Sequence, residues 1–376
     1  GYGVFLSSGI DSSLIASILS LKFNKKIDTY TIGLKDKLHN EANSSKLIAD
    51  HLKSNHNELI IDHSDLLESI NHITNVFDEP FADSSQVPTI LLSKFAVKTN
   101  KVCLTGDGGD EVFSGYNRHK KINYFFNQNI LIKNFLYLII SKFNNPKLVR
   151  NLYSFLKILI PSSFKSGIPY EHIQKVQIVL SAKNKIEAYE RLNEIFFPEE
   201  LKLILKNYII NEPYFNITNI ENIDKNIFQY YDFLNYLPND ILCKVDRSSM
   251  YYSLETRTPY LNKDFIKFYF SLNPKFTYEN KISKFLSKKT LSNFLPKTIL
   301  NLPKRGFGIP LDDWMRGPLK SLVADTIFAN NSYISNYINK EQAENYYKQF
   351  LDGKNYHNKL WALIVFELWN KKYREL

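Results

Sequence analysis

The stretch FLSSGIDSSL, Phe5 to Leu14, ends an apolar run in small hydroxylated residues, one glycine and one aspartate, then turns apolar again. Upstream, GVFLS (Gly3–Ser7) reads as a short buried strand. Downstream, SLIASILSLKF (Ser13–Phe23) sets Leu14, Ile15, Ile18, Leu19 and Leu21 at helical spacing. Strand, small-residue turn and helix make a cradle for an anion, because backbone N–H groups point into the turn and the helix N-terminus is partially positive. Gly9 lets the backbone come close to a bound anion. Asp11 repels phosphate, so its presence fits a Mg2+ ion bridging it to phosphate oxygens. A plainer use fits equally: Asp11 or Ser12 caps the helix. No Walker A spacing occurs anywhere in the chain.

Working outward, IDTYTIGL (Ile27–Leu34) is a second strand, EANSSKLIADHLKS (Glu41–Ser54) a helix and HNELIID (His56–Asp62) a third strand. Helices follow over Ser64–Thr74 and QVPTILLSKFAVKT (Gln86–Thr99), then a fourth strand in KVCLTG (Lys101–Gly106). Strands alternating with helices of this length predict an α/β fold with a doubly wound parallel sheet. Ligands of such sheets lie at the carboxyl ends of the strands. From about Lys120 the pattern becomes helical, and it ends in KLWALIVFELWNKKY (Lys359–Tyr373), so a C-terminal helical lobe is expected. The expected division is a nucleotide-binding core over 1–119 and a mainly helical part over 120–376.

TGDGGDEVFSGYNRH (Thr105–His119) is a second loop at the same edge. Asp107, Asp110 and Glu111 gather three carboxylates among three glycines. Their repulsion is costly without a cation, which favours metal and substrate binding over a solvated acidic turn. The two loops are expected to face each other, each giving one Mg2+ ligand.

The 376 residues are 44% hydrophobic with 24 Tyr and 27 Phe, enough for a sizeable core. Two cysteines exclude a disulfide framework and suit a reducing compartment; Cys103 and Cys243 read as small core residues. Ile130–Ile160 is the most lipid-like stretch, but its lysines and Arg150 leave no window near the roughly 18 uncharged residues of a spanning helix. Amphipathic helices packed on a core are expected there. The net charge of +10 is dispersed, so a solvated basic surface is favoured over nucleic-acid binding.

SSGIDSS resembles the SGGxDS signature of the ATP pyrophosphatases (the PP-loop superfamily), with Ser8 where that family has a second glycine. A positive φ at Ser8 would be costly. More specifically, DEPFADSSQVPTILLS, LTGDGGDEVFSGYNRH, YLPNDILCKVDRSSMYYSLETRTPYLN and LPKRGFGIPLDDWMRGPL, in that order, resemble the synthetase domain of glutamine-hydrolysing asparagine synthetase. The resemblance spans essentially the whole chain and is weakest over 120–235. It implies an adenine nucleotide alpha hydrolase-like fold, ATP and Mg2+ as cofactors, and an AMP-forming ligase that makes C–N bonds in asparagine biosynthesis. L-aspartate would be adenylated to β-aspartyl-AMP with release of pyrophosphate, and ammonia would then displace AMP.

By that resemblance ATP lies on Leu6, Ser7, Ser8, Gly9, Asp11, Ser12 and Ser13, with Ile32 against adenine and Thr105 and Gly106 also on the nucleotide. Asp11 and Asp110 fall on the Mg2+-linked aspartates. Asp107 falls on the position credited with proton handling or with binding the amino acid, and Lys284 of SKFLSKK on the catalytic lysine, with Lys281 as the competing choice. Asp83 and Ser84 are assigned to the substrate pocket or to helix capping, and Lys304 and Arg305 to pyrophosphate or a surface turn. Asp246, Arg247, Glu255 and Arg257 are expected to form a buried ion-pair network. No N-terminal glutaminase is read in this chain, so ammonia comes free or from glutamine hydrolysed elsewhere. No membrane span and no nucleic acid are expected, location is expected to be cytoplasmic, and a homodimer is among the assemblies allowed. Three other readings stay open: the same chemistry on another carboxylate in cell-surface or natural-product assembly, an RNA-modifying ATP pyrophosphatase, and a degenerate scaffold.

Overall fold

The computed structural model describes residues 2–35, 42–142, 169–209, 226–273, 283–302 and 308–374. The chain forms two compact units, each built from two segments: Gly1–Tyr116 with Lys225–Pro310, and Asn117–Asp224 with Leu311–Leu376. The first crossing lies beside the 119/120 boundary read from the sequence, but the helix-rich segment after 225 rejoins the sheet-bearing unit.

The first unit is built on a parallel sheet. Strands β1 (Tyr2–Phe5), β2 (Ile27–Leu34), β3 (Asn55–Ile61), β4 (Val102–Leu104) and β5 (Glu255–Arg257) lie in the order β3-β2-β1-β4-β5. Val4 pairs with Thr29 on one side and Leu104 on the other, and Cys103 with Thr256. Helices α1 (Ile10–Ser17), α2 (Ala42–His51), α3 (His63–Val76) and α4 (Gln86–Ala96) connect the first four strands. Strand β1 is hydrophobic because it is central and covered on both faces: Val4 is fully buried, and at Gly3 a Cβ would come within 2.3 Å of Cys103 Sγ. Cys103 is therefore a core thiol, and burial pushes it up to about 12. Cys243 is only half-buried, unlike the core position expected for it.

In this order the winding reverses between β1 and β4, which opens a crevice at their carboxyl ends. The chain leaving β1 there is Leu6–Gly9, and the chain leaving β4 is Thr105–Gly108. Hydrogen bonds from Leu6 N to Tyr30 O (2.9 Å) and from Thr105 N to Arg257 O (2.9 Å) fix both loops to neighbouring strands. Strand β5 is a short edge strand; Glu255 and Arg257 lie on one face and pair in solvent, 65% and 53% exposed for the arginine and glutamate side chains. Arg247 pairs with Asp78 instead, also exposed, and Asp246 is exposed. The buried network expected from these four residues is thus absent; long charged side chains on an edge strand and an outward helix face stay hydrated.

The second unit is helical. Its core includes Phe350, Leu360, Trp361 and Ile364, all fully buried. The buried Glu367 carboxylate accepts from Tyr333 N (3.0 Å) and Ile334 N (2.6 Å), satisfying the start of a short helical turn. His119 belongs to this unit and packs near Tyr189, ring centroids 6.0 Å apart. The helix Ile130–Ile140 departs from expectation. Lys133 is its buried residue, donating to Ala182 O (2.7 Å) over the Phe126 ring, whereas Ile130, Leu131, Phe135 and Leu138 are exposed among the described residues. The rest of the stretch up to Ile160 lies outside the described residues beyond 142. No helix among the described residues is long and apolar enough to cross a membrane.

Candidate active site

Helix α1 starts at Ile10, with Gly9 as its N-cap in an extended conformation, φ −72°. Asp11 does not cap it. The serines instead tie the loop to itself: Ser13 Oγ donates to Gly9 O (2.7 Å), and Ser7 N donates to Ser12 Oγ (3.1 Å). Ser8 is not among the residues with left-handed backbone, so a side chain at this position carries no φ penalty. Its hydroxyl is buried and has no hydrogen-bond partner among the described residues.

The loop after β4 closes against this one. Gly108 has φ +83°, a conformation that favours glycine. Gly109 opens the short helix α5 (Gly109–Val112), and a Cβ on it would fall 2.6 Å from Asp11 Cγ; one on Gly106 would fall 2.8 Å from Ser12 N. These glycines let the two loops touch through backbone. Phe113 anchors the second loop, with its ring edge-on to Tyr260 (5.4 Å) and Tyr269 (5.0 Å). Tyr260 in turn donates to Asp11 O (2.9 Å).

Lys284 reaches this junction as the residue just before the helix Phe285–Leu291. Its N–H donates to Phe113 O (3.3 Å), and the hydroxyl of Ser283 donates to Ser114 O (2.8 Å). The ammonium pairs with Asp11 Oδ2 and with Asp110 Oδ1, the latter at 2.6 Å. The side chain of Lys284 is 5% exposed and that of Asp11 10%. Burial opposes the charge on Lys284, but the two carboxylates outweigh it and hold the ammonium above its ordinary value. Two aspartates that share one cation in a partly buried cleft suit Mg2+, which takes one or two carboxylates and fills its other positions with phosphate and water. The donor set fits that ion.

Asp107 is held up from the usual carboxylate range by burial, opposed by the Thr105 hydroxyl and by Lys244. Lys244 was not singled out by the sequence reading. It is buried, donates to Asp83 Oδ2 (2.5 Å) and Ser85 Oγ (2.8 Å), and lies 3.7 Å from Asp240 Oδ1. Burial would raise Asp83, but Lys244 outweighs it and lowers the group, while burial and the Asp83 charge push Asp240 up to about 7. Asp83 also accepts from Ser85 N (2.9 Å) just before α4, so it serves the helix start and the ion pair together. Glu111 is buried beside Asp110, accepts from Tyr116 Oη (2.6 Å), and is pushed up to about 7 by burial.

Leu6, Ser7, Ser8, Gly9, Asp11, Ser12, Ser13, Thr105, Gly106, Asp110 and Lys284 therefore come to one junction. Ile32 is buried on the adjacent β2, and Ser84 lies half-buried in the turn before α4. Lys281, Lys304 and Arg305 lie outside the described residues.

The family model for asparagine synthase matches residues 1–371. The chain belongs to the asparagine synthase family. Similar family members include asparagine synthetase (glutamine-hydrolyzing) 1 of Bacillus subtilis, 26% identical over 379 residues, 98% of this chain and 55% of the relative. A putative asparagine synthetase (glutamine-hydrolyzing) of Mycobacterium tuberculosis is 24% identical over 376 residues, 98% of this chain and 54% of its own. Another, from Methanocaldococcus jannaschii, is 31% identical over 252 residues, 66% of this chain and 45% of its own. The chain thus spans about half the length of the curated asparagine synthetases it matches.

Proposed function

We propose that this chain catalyses ATP-dependent amide formation, adenylating the side-chain carboxylate of L-aspartate and passing the acyl group to ammonia. The observation that carries the reading is the meeting of Asp11, Asp110 and Lys284 at the reversal point of the sheet. In this reading Leu6 to Ser13 hold the ATP phosphates on backbone N–H groups and hydroxyls, with the orphaned Ser8 hydroxyl as one donor. Ile32 packs against adenine, and Thr105 and Gly106 border the nucleotide from the second loop. Asp11 and Asp110 would hold Mg2+, which when bound would supply positive charge to the phosphates.

The aspartate β-carboxylate attacks the α-phosphorus, forming the acyl phosphate bond while the bond to pyrophosphate breaks. Lys284 stabilises the charge that develops on the transferring phosphate. Ammonia then attacks the acyl carbon and AMP leaves with the former carboxylate oxygen. In this reading Asp107, whose carboxyl burial raises, takes the proton that the attacking nitrogen sheds. Asp83 and Ser84 are assigned to the aspartate side of the cleft and Lys304 to pyrophosphate. The relatives' names describe them as glutamine-hydrolysing, and free or glutamine-derived ammonia is the nucleophile proposed here.

Pyrophosphate release from Mg·ATP, measured with and without L-aspartate and then with ammonium, tests this. Aspartate-dependent pyrophosphate and the appearance of asparagine are expected. A folded, ATP-binding protein whose pyrophosphate release ignores aspartate would overturn the choice of acid.

A further inference from the structure

Lys284 occupies a position that a metal ion would want. Its ammonium lies between Asp11 Oδ2 and Asp110 Oδ1, the two carboxylates assigned to Mg2+ above. The backbone of Lys284 is left-handed, φ 55°, and is held there by the bonds to Phe113 O and Ser114 O. Its side chain runs past Gly115, where a Cβ would lie 2.2 Å from Lys284 Cε and 1.8 Å from Asp110 Oδ1. The lysine is thus led through a gap that only a glycine leaves, to the pair of aspartates. A divalent cation and an ammonium cannot share those two oxygens, because their mutual repulsion at contact distance is large in a shielded cleft. The flexible four-carbon stem lets the ammonium move without moving the backbone.

We propose that the Lys284 ammonium and the divalent cation take the place between Asp11 and Asp110 in turn, so that metal loading turns Lys284 out toward the phosphates. The lysine keeps the two carboxylates compensated until the metal arrives, and becomes available for catalysis only then. This rests on reading Asp11 and Asp110 as the metal's ligands.

The test is Mn2+ binding without nucleotide or acid, followed by the paramagnetic resonance signal of free Mn2+. Lys284→Met should bind Mn2+ about tenfold more tightly than the unaltered protein or better, since the competing cation is gone. Adding Asp110→Asn to it should abolish the gain. Equal or weaker binding by folded Lys284→Met, or a gain that survives Asp110→Asn, would overturn the proposal. If Lys284→Met does not fold in metal-free buffer, Lys284→Gln, whose amide still donates to one carboxylate, is titrated against the same criteria. Neither ATP nor aspartate is present, so this result and the adenylation assay fail independently of each other.

Discussion

Two buried lysines of the sheet-bearing unit each face two aspartates, and they differ in what surrounds them. Lys284 meets Asp11 and Asp110, which come from the two glycine-rich loops at the crevice, and it has a left-handed backbone. Lys244 meets Asp83 and Asp240, lies within the ordinary helix Cys243–Met250, and has Ser85 Oγ as a further acceptor. The carboxylates of the first cluster border a loop that carries the unpartnered Ser8 hydroxyl. The second is closed by the helix start it supports. The same charge pattern therefore reads as a site that opens in one place and as a fastening in the other.

Substitutions should separate the two. Lys284→Met is expected to lower aspartate-dependent pyrophosphate release by about 10³-fold, with the unfolding midpoint little changed in saturating Mn2+. Lys244→Met should act mainly on stability: it strands the half-buried Asp83 carboxylate, at a cost of about 2–3 kcal/mol by urea unfolding. Adding Asp83→Asn to it should restore a large part of that loss. Were Lys244→Met instead to leave stability intact and remove activity, the contrast between opening and fastening would collapse.

Glu111 gives a third effect with a definite sign. Burial raises its carboxyl from 4.5 to about 7, so the folded state holds a proton that the unfolded state has released. Its contribution is fully present below pH 4.5 and is lost as pH rises to about 7, up to about 3 kcal/mol. Glu111→Gln should flatten that part of the stability–pH curve, as measured by urea unfolding at pH 5 and 8. An unaltered slope would show that the group titrates normally. Smallest of all, Arg257→Ala should change stability by no more than about 0.5 kcal/mol, since its pair with Glu255 is exposed.

The parallel sheet and the two loops at its carboxyl edge, with Asp11, Asp107 and Asp110 on them, were legible because apolar runs alternate with helical spacing and break into small residues and carboxylates; Lys284 was pointed to only by the family resemblance. Lys244 was not legible: a lysine in a polar helix looks solvated, and only the fold brings α4 against it. Strand β5 was missed because three residues, two of them charged, carry no apolar signal. The return of the chain to the first unit after 225 is a long-range event that no local pattern encodes. The helix Ile130–Ile140 inverted expectation because one lysine found a carbonyl and an aromatic ring inside, leaving the apolar side chains out. The feared penalty at Ser8 vanished because the loop runs through ordinary φ values.

The central claim is that the acid attacks the α-phosphorus of ATP at the junction of Asp11, Asp110 and Lys284. Incubating the protein with Mg·ATP, ammonium and L-aspartate labelled with ¹⁸O in the β-carboxylate tests it directly. One labelled oxygen should pass to AMP and none to pyrophosphate, as mass spectrometry of the products would show. ADP in place of AMP, beside labelled inorganic phosphate, would mean attack at the γ-phosphorus, and would contradict this account of the site.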